Sequence, residues 1–96
     1  MIIIGGDMTI KVEDRAAAIA AFVTMQKASQ AEEGCQTYVF SADLEAEDTI
    51  HLFEVWANAE TLAAHGQTAH MAAFREQMAN YRVASNIKRY QAEVAS

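Results

Sequence analysis

The sequence predicts a single α+β domain spanning residues 1–96, with the element order β-α-β-β-α-β. Three observations carry that reading. Thr49 to Trp56 alternates apolar side chains to both sides: Ile50, Leu52, Glu54 and Trp56 one way, His51, Phe53 and Val55 the other. Ahead of it lies an alanine-rich stretch with apolar residues at helical spacing. Behind it, Asn58 and Thr68 each stand where a helix would be capped.

The elements follow in order. Ile2 to Lys11 reads as a strand, with Ile2, Ile4, Met8 and Ile10 on one face and Ile3 on the other. Gly5 and Gly6 interrupt it, and a bulge is expected there in preference to a close approach of another backbone. Asp14 caps a helix that runs to about Glu33 and ends at Gly34, with Ile19, Phe22, Val23 and Gln26 as its buried stripe. Cys35 to Asp43 is the second strand, carrying Tyr38 and Phe40 on one face. The acidic run Asp43 to Asp48 is read as a solvated hairpin leading into the third strand. Asn58 opens a short helix ending near His65 and Gly66, and Thr68 opens another with Met71, Phe74 and Met78 inward. The last strand is expected from about Val83 to Val94, with Tyr90, Ala92 and Val94 turned inward. This order, with an antiparallel sheet, is the ferredoxin-like arrangement.

Composition narrows the partners. Seven basic residues stand against thirteen acidic ones, for a net charge of −6. Such a chain offers no electrostatic footprint to nucleic acid or an anionic membrane. The apolar start Met1-Ile2-Ile3-Ile4 is too short for a membrane span and lacks the basic flank of a signal peptide, so the expected location is cytoplasmic. One cysteine, Cys35, allows no internal disulfide. Two helical segments cover only one face of a four-stranded sheet. The other face, with Thr37, Val39, Phe53 and Val55, is expected to pack against a second copy, and His51 to face that copy. Roughly 800 Å² per subunit is the usual size of such an interface.

Four pieces of sequence, in order, resemble a known family. They are Glu33-Gly34-Cys35 with Tyr38 three residues on, Phe53-Glu54-Val55-Trp56, Leu62-Ala63-Ala64-His65, and Thr68-Ala69-His70 followed by Phe74. Together they resemble the antibiotic biosynthesis monooxygenase (ABM) domain, a dimeric α+β barrel within the ferredoxin-like fold. The resemblance implies a homodimer joined through its sheet faces. It also implies one of several activities: cofactor-independent oxidation of aromatic polyketides and quinols, haem degradation, or isomerisation of a phosphorylated sugar. The haem-degrading branch carries an Asn on its first strand, where this chain reads Gly5-Gly6-Asp7.

The residues themselves suggest where chemistry would sit. Glu54 shares its face with Ile50, Leu52 and Trp56, so a carboxylate is placed among apolar neighbours and needs a partner or a proton. His65, on the helix that folds back over the sheet, is the expected partner, and a Glu54–His65 pair would serve as the proton-transfer device. Both residues have a purely structural reading as well: a hydrogen bond that fixes the short helix. Trp56 would wall a site for a planar ring. Tyr38 would offer its hydroxyl, and His70 and Phe74 would border the substrate. His65 and His70 are five residues apart, not the four that align ligands on one helix, and the chain breaks at Gly66, so no metal site is expected.

The resulting expectation is a cofactor-independent monooxygenase acting on a small aromatic phenol or quinol with O₂. No flavin or nicotinamide motif is present, and no cofactor is expected. Two alternatives stand beside it. One is an isomerase or lyase using the same pair, with Arg75, Arg82, Lys88 and Arg89 available for an anionic substrate. The other is a non-catalytic dimeric binding or stress-response domain in which Glu54 and His65 merely lock the fold.

Overall fold

A computed structural model describes all 96 residues. Strand β1 covers Ile2–Ile10, and a 3₁₀ turn at Val12–Asp14 leads into helix α1, Arg15–Gln30. Strands β2 (Cys35–Ala42) and β3 (Thr49–Trp56) follow, then helices α2 (Ala59–His65) and α3 (Ala69–Tyr81), and strand β4 (Arg82–Gln91). The sheet order is β2-β3-β1-β4, antiparallel throughout. This is the ferredoxin-like α+β fold, with the second helix of the pattern divided in two.

Period-two alternation decides which residues meet the helices. Tyr38 pairs with Glu54, and Ile4 pairs with Glu54 from the other side, so these three share one face. That face, with Ile2, Met8, Ile10, Ile50, Leu52 and Trp56, packs against Ala18, Ala21, Phe22, Met25, Phe74 and Met78 of the helices as one core. Phe22, Phe40 and Phe74 form a tilted aromatic triangle with ring centroids 4.7 to 5.8 Å apart.

Several expectations need correction. Helix α1 ends at Gln30, short of Glu33, and Gly34 takes its positive φ of 81° at the far end of a turn. Turn hydrogen bonds from Glu32 N to Ser29 O and from Cys35 N to Glu32 O close that segment. The buried stripe of α1 is Ala18, Ala21, Phe22, Met25 and Ser29, whereas Val23 is 44% exposed. Gln26 lies at the border and accepts a hydrogen bond from Phe40 N at 2.8 Å; Gln30 Nε2 donates to Tyr38 O at 2.9 Å. Asp14 precedes α1 but its side chain caps nothing.

No bulge interrupts Gly5 and Gly6; the register shift of β1 against β4 falls between Thr9 and Ile10. Gly6 instead marks the close approach. Its φ is +149°, and a Cβ there would lie 2.1 Å from the Asn86 carbonyl oxygen. In β4, Tyr90 pairs with Ile3 and so turns to the helix-free side, not inward; Ile87 and Arg89 face the helices. Val94 lies beyond the strand and is 71% exposed.

The acidic hairpin is ordered by its first residue. Asp43 Oδ2 accepts from the backbone N–H groups of Glu45 and Ala46, and Oδ1 meets His51 Nε2 at 2.8 Å. The His51 contact, followed by those two amides, lowers the Asp43 pKa to about 2. No helix is long and apolar enough to cross a membrane.

Candidate functional site

The two turns at one end of the sheet are locked together. Ala57 N donates to Gly34 O at 2.8 Å, and a Cβ on Gly34 would strike the Thr61 side chain at 2.4 Å. Asn58 Oδ1 caps α2 by accepting from Thr61 N at 2.9 Å. The turn between α1 and β2 therefore sits against the start of α2, bringing Glu32 toward the helix end that carries His65. Thr68 completes the arrangement. Its hydroxyl donates to His65 O at 2.8 Å and accepts from Met71 N at 3.2 Å, which ties the end of α2 to the start of α3.

These ties gather two histidines on one carboxylate. His65 Nδ1 lies 2.6 Å and His70 Nε2 lies 2.7 Å from the same oxygen, Glu32 Oε2. The His65 side chain is only 5% exposed. Its ring stacks at a tilt on Trp56, centroids 4.7 Å apart, and lies 5.5 Å from the Tyr38 ring.

The expected Glu54–His65 hydrogen bond is absent. Glu54 Oε1 accepts instead from Trp56 Nε1 at 2.8 Å, because both residues stand on the same face of β3 two positions apart. Glu32, reaching over from the preceding turn, takes His65. Trp56 is fully buried and does not wall the cavity; it props Glu54 and His65 from behind. His70 also stands outside the cavity, held by Glu32. Tyr38, Glu54, His65 and Phe74 do line one hollow together, on the helix side of the sheet.

That hollow holds about 280 Å³. Its floor is Ile4, Met8, Leu52 and Glu54; Leu62, His65 and Phe74 overhang it, and Arg75 and Arg82 stand at its border. An apolar cavity of about 150 Å³ suffices for benzene, so the space suits a substituted ring. Burial pushes the Glu54 carboxyl upward, opposed by the Trp56 hydrogen bond and the nearby His65, and Glu32 adds repulsion. Burial, then the Glu54 charge, pushes the Tyr38 phenol far up, so Tyr38 is a hydrogen-bond donor and not a base. Burial, with Glu32 and Glu54 nearby, also raises the Cys35 thiol, which keeps it protonated and unreactive.

The raised Glu54 sets a pH dependence with a definite sign. An acid whose folded value exceeds its unfolded one costs stability as pH rises from the unfolded value through the folded one. Glu54→Gln keeps an acceptor for Trp56 Nε1 and has no charge to bury. Thermal melts are expected to show the variant more stable than the unaltered chain by several degrees at pH 8, with the gap closing near pH 4.

Glu32 is the residue the sequence reading missed. The available signal was its position two residues before Gly34, in a junction that must lie beside the end of β3. Only the tertiary pairing of Gly34 with Ala57 reveals what it reaches.

Comparison with known proteins agrees with this architecture. A protein of Nitrosomonas europaea described as a candidate antibiotic biosynthesis monooxygenase superposes with a TM-score of 0.90 at 19% identity, covering 96% of this chain and 98% of that one. A conserved protein of Bacteroides thetaiotaomicron, of unknown function and described as a candidate oxidoreductase, matches with a TM-score of 0.84 at 28% identity over 93% and 94% of the two chains. The uncharacterized protein sll1783 of Synechocystis is 32% identical over 75 residues, which are 78% of this chain; the matched region spans about half (51%) of that relative. The sequence profile of one family, antibiotic biosynthesis monooxygenase, matches residues 1–77, and with four-fifths of its length inside that match the chain belongs to this family.

Proposed function

We propose that the hollow binds a small phenol or quinol and that the protein is a cofactor-independent monooxygenase with His65 as its base. One observation carries this reading: His65 lines the hollow while its Nδ1 is held 2.6 Å from Glu32. With the Nδ1 proton directed to a carboxylate, the lone pair resides on Nε2, as in a base oriented by a third group.

The chemistry balances without a cofactor. His65 takes a hydroxyl proton, and the substrate anion passes an electron to O₂. Recombination at a ring carbon gives a hydroperoxide, and loss of water leaves the oxidised ring. For a hydroquinone the sum is quinol plus O₂ to hydroxyquinone plus water. Tyr38 donates a hydrogen bond to a substrate oxygen, and the apolar walls keep bulk water from the intermediate. Oxygen uptake with a panel of hydroquinones tests this, and turnover that persists under argon would overturn it. Arg75 and Arg82 at the border favour a second reading, an isomerase or lyase for an anionic substrate, which the argon experiment would support.

The same reading includes a homodimer. The helix-free sheet face leaves Val39 41%, Phe53 48% and Tyr90 50% exposed in the single chain. A second copy laid sheet to sheet would remove that surface from water. Phe53→Asp places a charge at its centre. Sedimentation at micromolar concentration is expected to show a dimer for the unaltered chain and a monomer for the variant; a monomeric unaltered chain would end the dimer proposal.

A further inference from the structure

We propose that Glu32, His65 and His70 form a binding site for a first-row divalent cation such as Zn²⁺ or Co²⁺. Their ligand atoms already converge: all lie within 4.8 Å of one another, and both nitrogens lie within 2.7 Å of Glu32 Oε2. Two imidazoles and one carboxylate are the donor set such ions prefer, and three protein ligands leave a position for water. Tetrahedral bonds of about 2.0–2.1 Å set neighbouring ligand atoms roughly 3.3 Å apart. When a metal takes the place of the two N–H···O hydrogen bonds, the N···O pairs therefore widen by about 0.7 Å and the two nitrogens, within 4.8 Å of each other, draw together.

The site is built rather than accidental. Its ligands come from three elements, the turn before β2, the end of α2 and the start of α3, and Thr68 fixes the last two relative to each other. Glu32 and His70 side chains are 14% and 26% exposed, which gives an ion a route from solvent to the more deeply buried His65. The net charge of −6 favours a cation. Sequence spacing and the break at Gly66 both speak against a site made by the two histidines alone; Glu32, reaching over from the turn before β2, is the third ligand that brings them together.

The site shares His65 and Glu32 with the quinol reading but does not depend on it, because binding requires no turnover. A metal on His65 Nδ1 displaces the ring proton from Nδ1 to Nε2, so the metal-free protein is the form that carries the proposed base. The test uses untagged protein stripped with a chelator, then Zn²⁺ alone in equilibrium dialysis and Co²⁺ alone by visible absorption. One equivalent of Zn²⁺ per chain and a d–d band of a nitrogen-ligated Co²⁺ are expected. His70→Ala, at the exposed edge of the cluster, and Glu32→Gln are each expected to weaken binding by at least about tenfold to a hundredfold. His51→Ala, at the histidine paired with Asp43, is expected to change nothing. Absence of stoichiometric Zn²⁺ at micromolar protein, or affinity unaltered by His70→Ala, would overturn the proposal.

Discussion

In oxygen-uptake assays with hydroquinones, His65→Asn is expected to turn over roughly 10²–10⁴ times more slowly than the unaltered chain, the usual contribution of a positioned base. Asparagine is chosen because its amide N–H can replace the imidazole Nδ1–H as donor to Glu32. The cluster and the fold are then preserved while the lone pair at the Nε2 position is lost. The loss should fall on kcat, since proton removal belongs to the chemical step and not to binding. Glu32→Gln is expected to lower the rate in the same direction by less, because His65 keeps its nitrogen but loses the anion that holds its tautomer. His70→Ala removes the second donor to that anion without touching the hollow, and its effect on turnover is expected to be smaller again. Equal rates for His65→Asn and the unaltered chain would take His65 out of the mechanism.

Gly6→Ala is expected to be the most damaging single methyl group in the molecule. Its Cβ would sit 2.1 Å from the Asn86 carbonyl oxygen and 2.9 Å from the Ile87 Cα, both backbone atoms of β4. The φ of +149° adds strain that only glycine avoids. Since β1 is central, between β3 and β4, relief requires β4 to move off the sheet. A loss of about 3 kcal/mol or more follows, equivalent to a fall in Tm of roughly 12 °C or more for a domain of this size. Gly5→Ala is the matched control: nothing lies within 4 Å of its added carbon. Melting temperatures that fall equally for both variants would refute the account of the close approach.

These two residues also show how far the sequence could be read. Strands β1 and β3 alternate strongly, so the faces of Ile2, Met8, Ile10, Ile50, Leu52, Glu54 and Trp56 were legible, and the hollow beside Glu54 and His65 lies on the helix side where that reading put it. Strand β4 does not alternate, and every one of its residues is exposed in the single chain. Its register comes from pairing with β1 and not from burial, which is why its own pattern does not show that Tyr90 faces the helix-free side. Helix α1 misled for another reason. Alanines surround it, so adjacent stripes through Phe22 are almost equally apolar, and the sheet alone selects the one with Ala18 and Met25. The partner of His65 was hidden by distance along the chain: 33 residues separate it from Glu32, and 38 separate His70. The nearer carboxylate, Glu54, was the natural assignment until Trp56 claimed its oxygen.

Strand β2 lies at the margin of the sheet, where its outward amides and carbonyls would welcome a foreign chain. Gln26 and Gln30 of α1 reach over and occupy the Phe40 amide and the Tyr38 carbonyl, like clasps on a hem. The helix that closes the core thereby also blunts that border as a template for strand pairing.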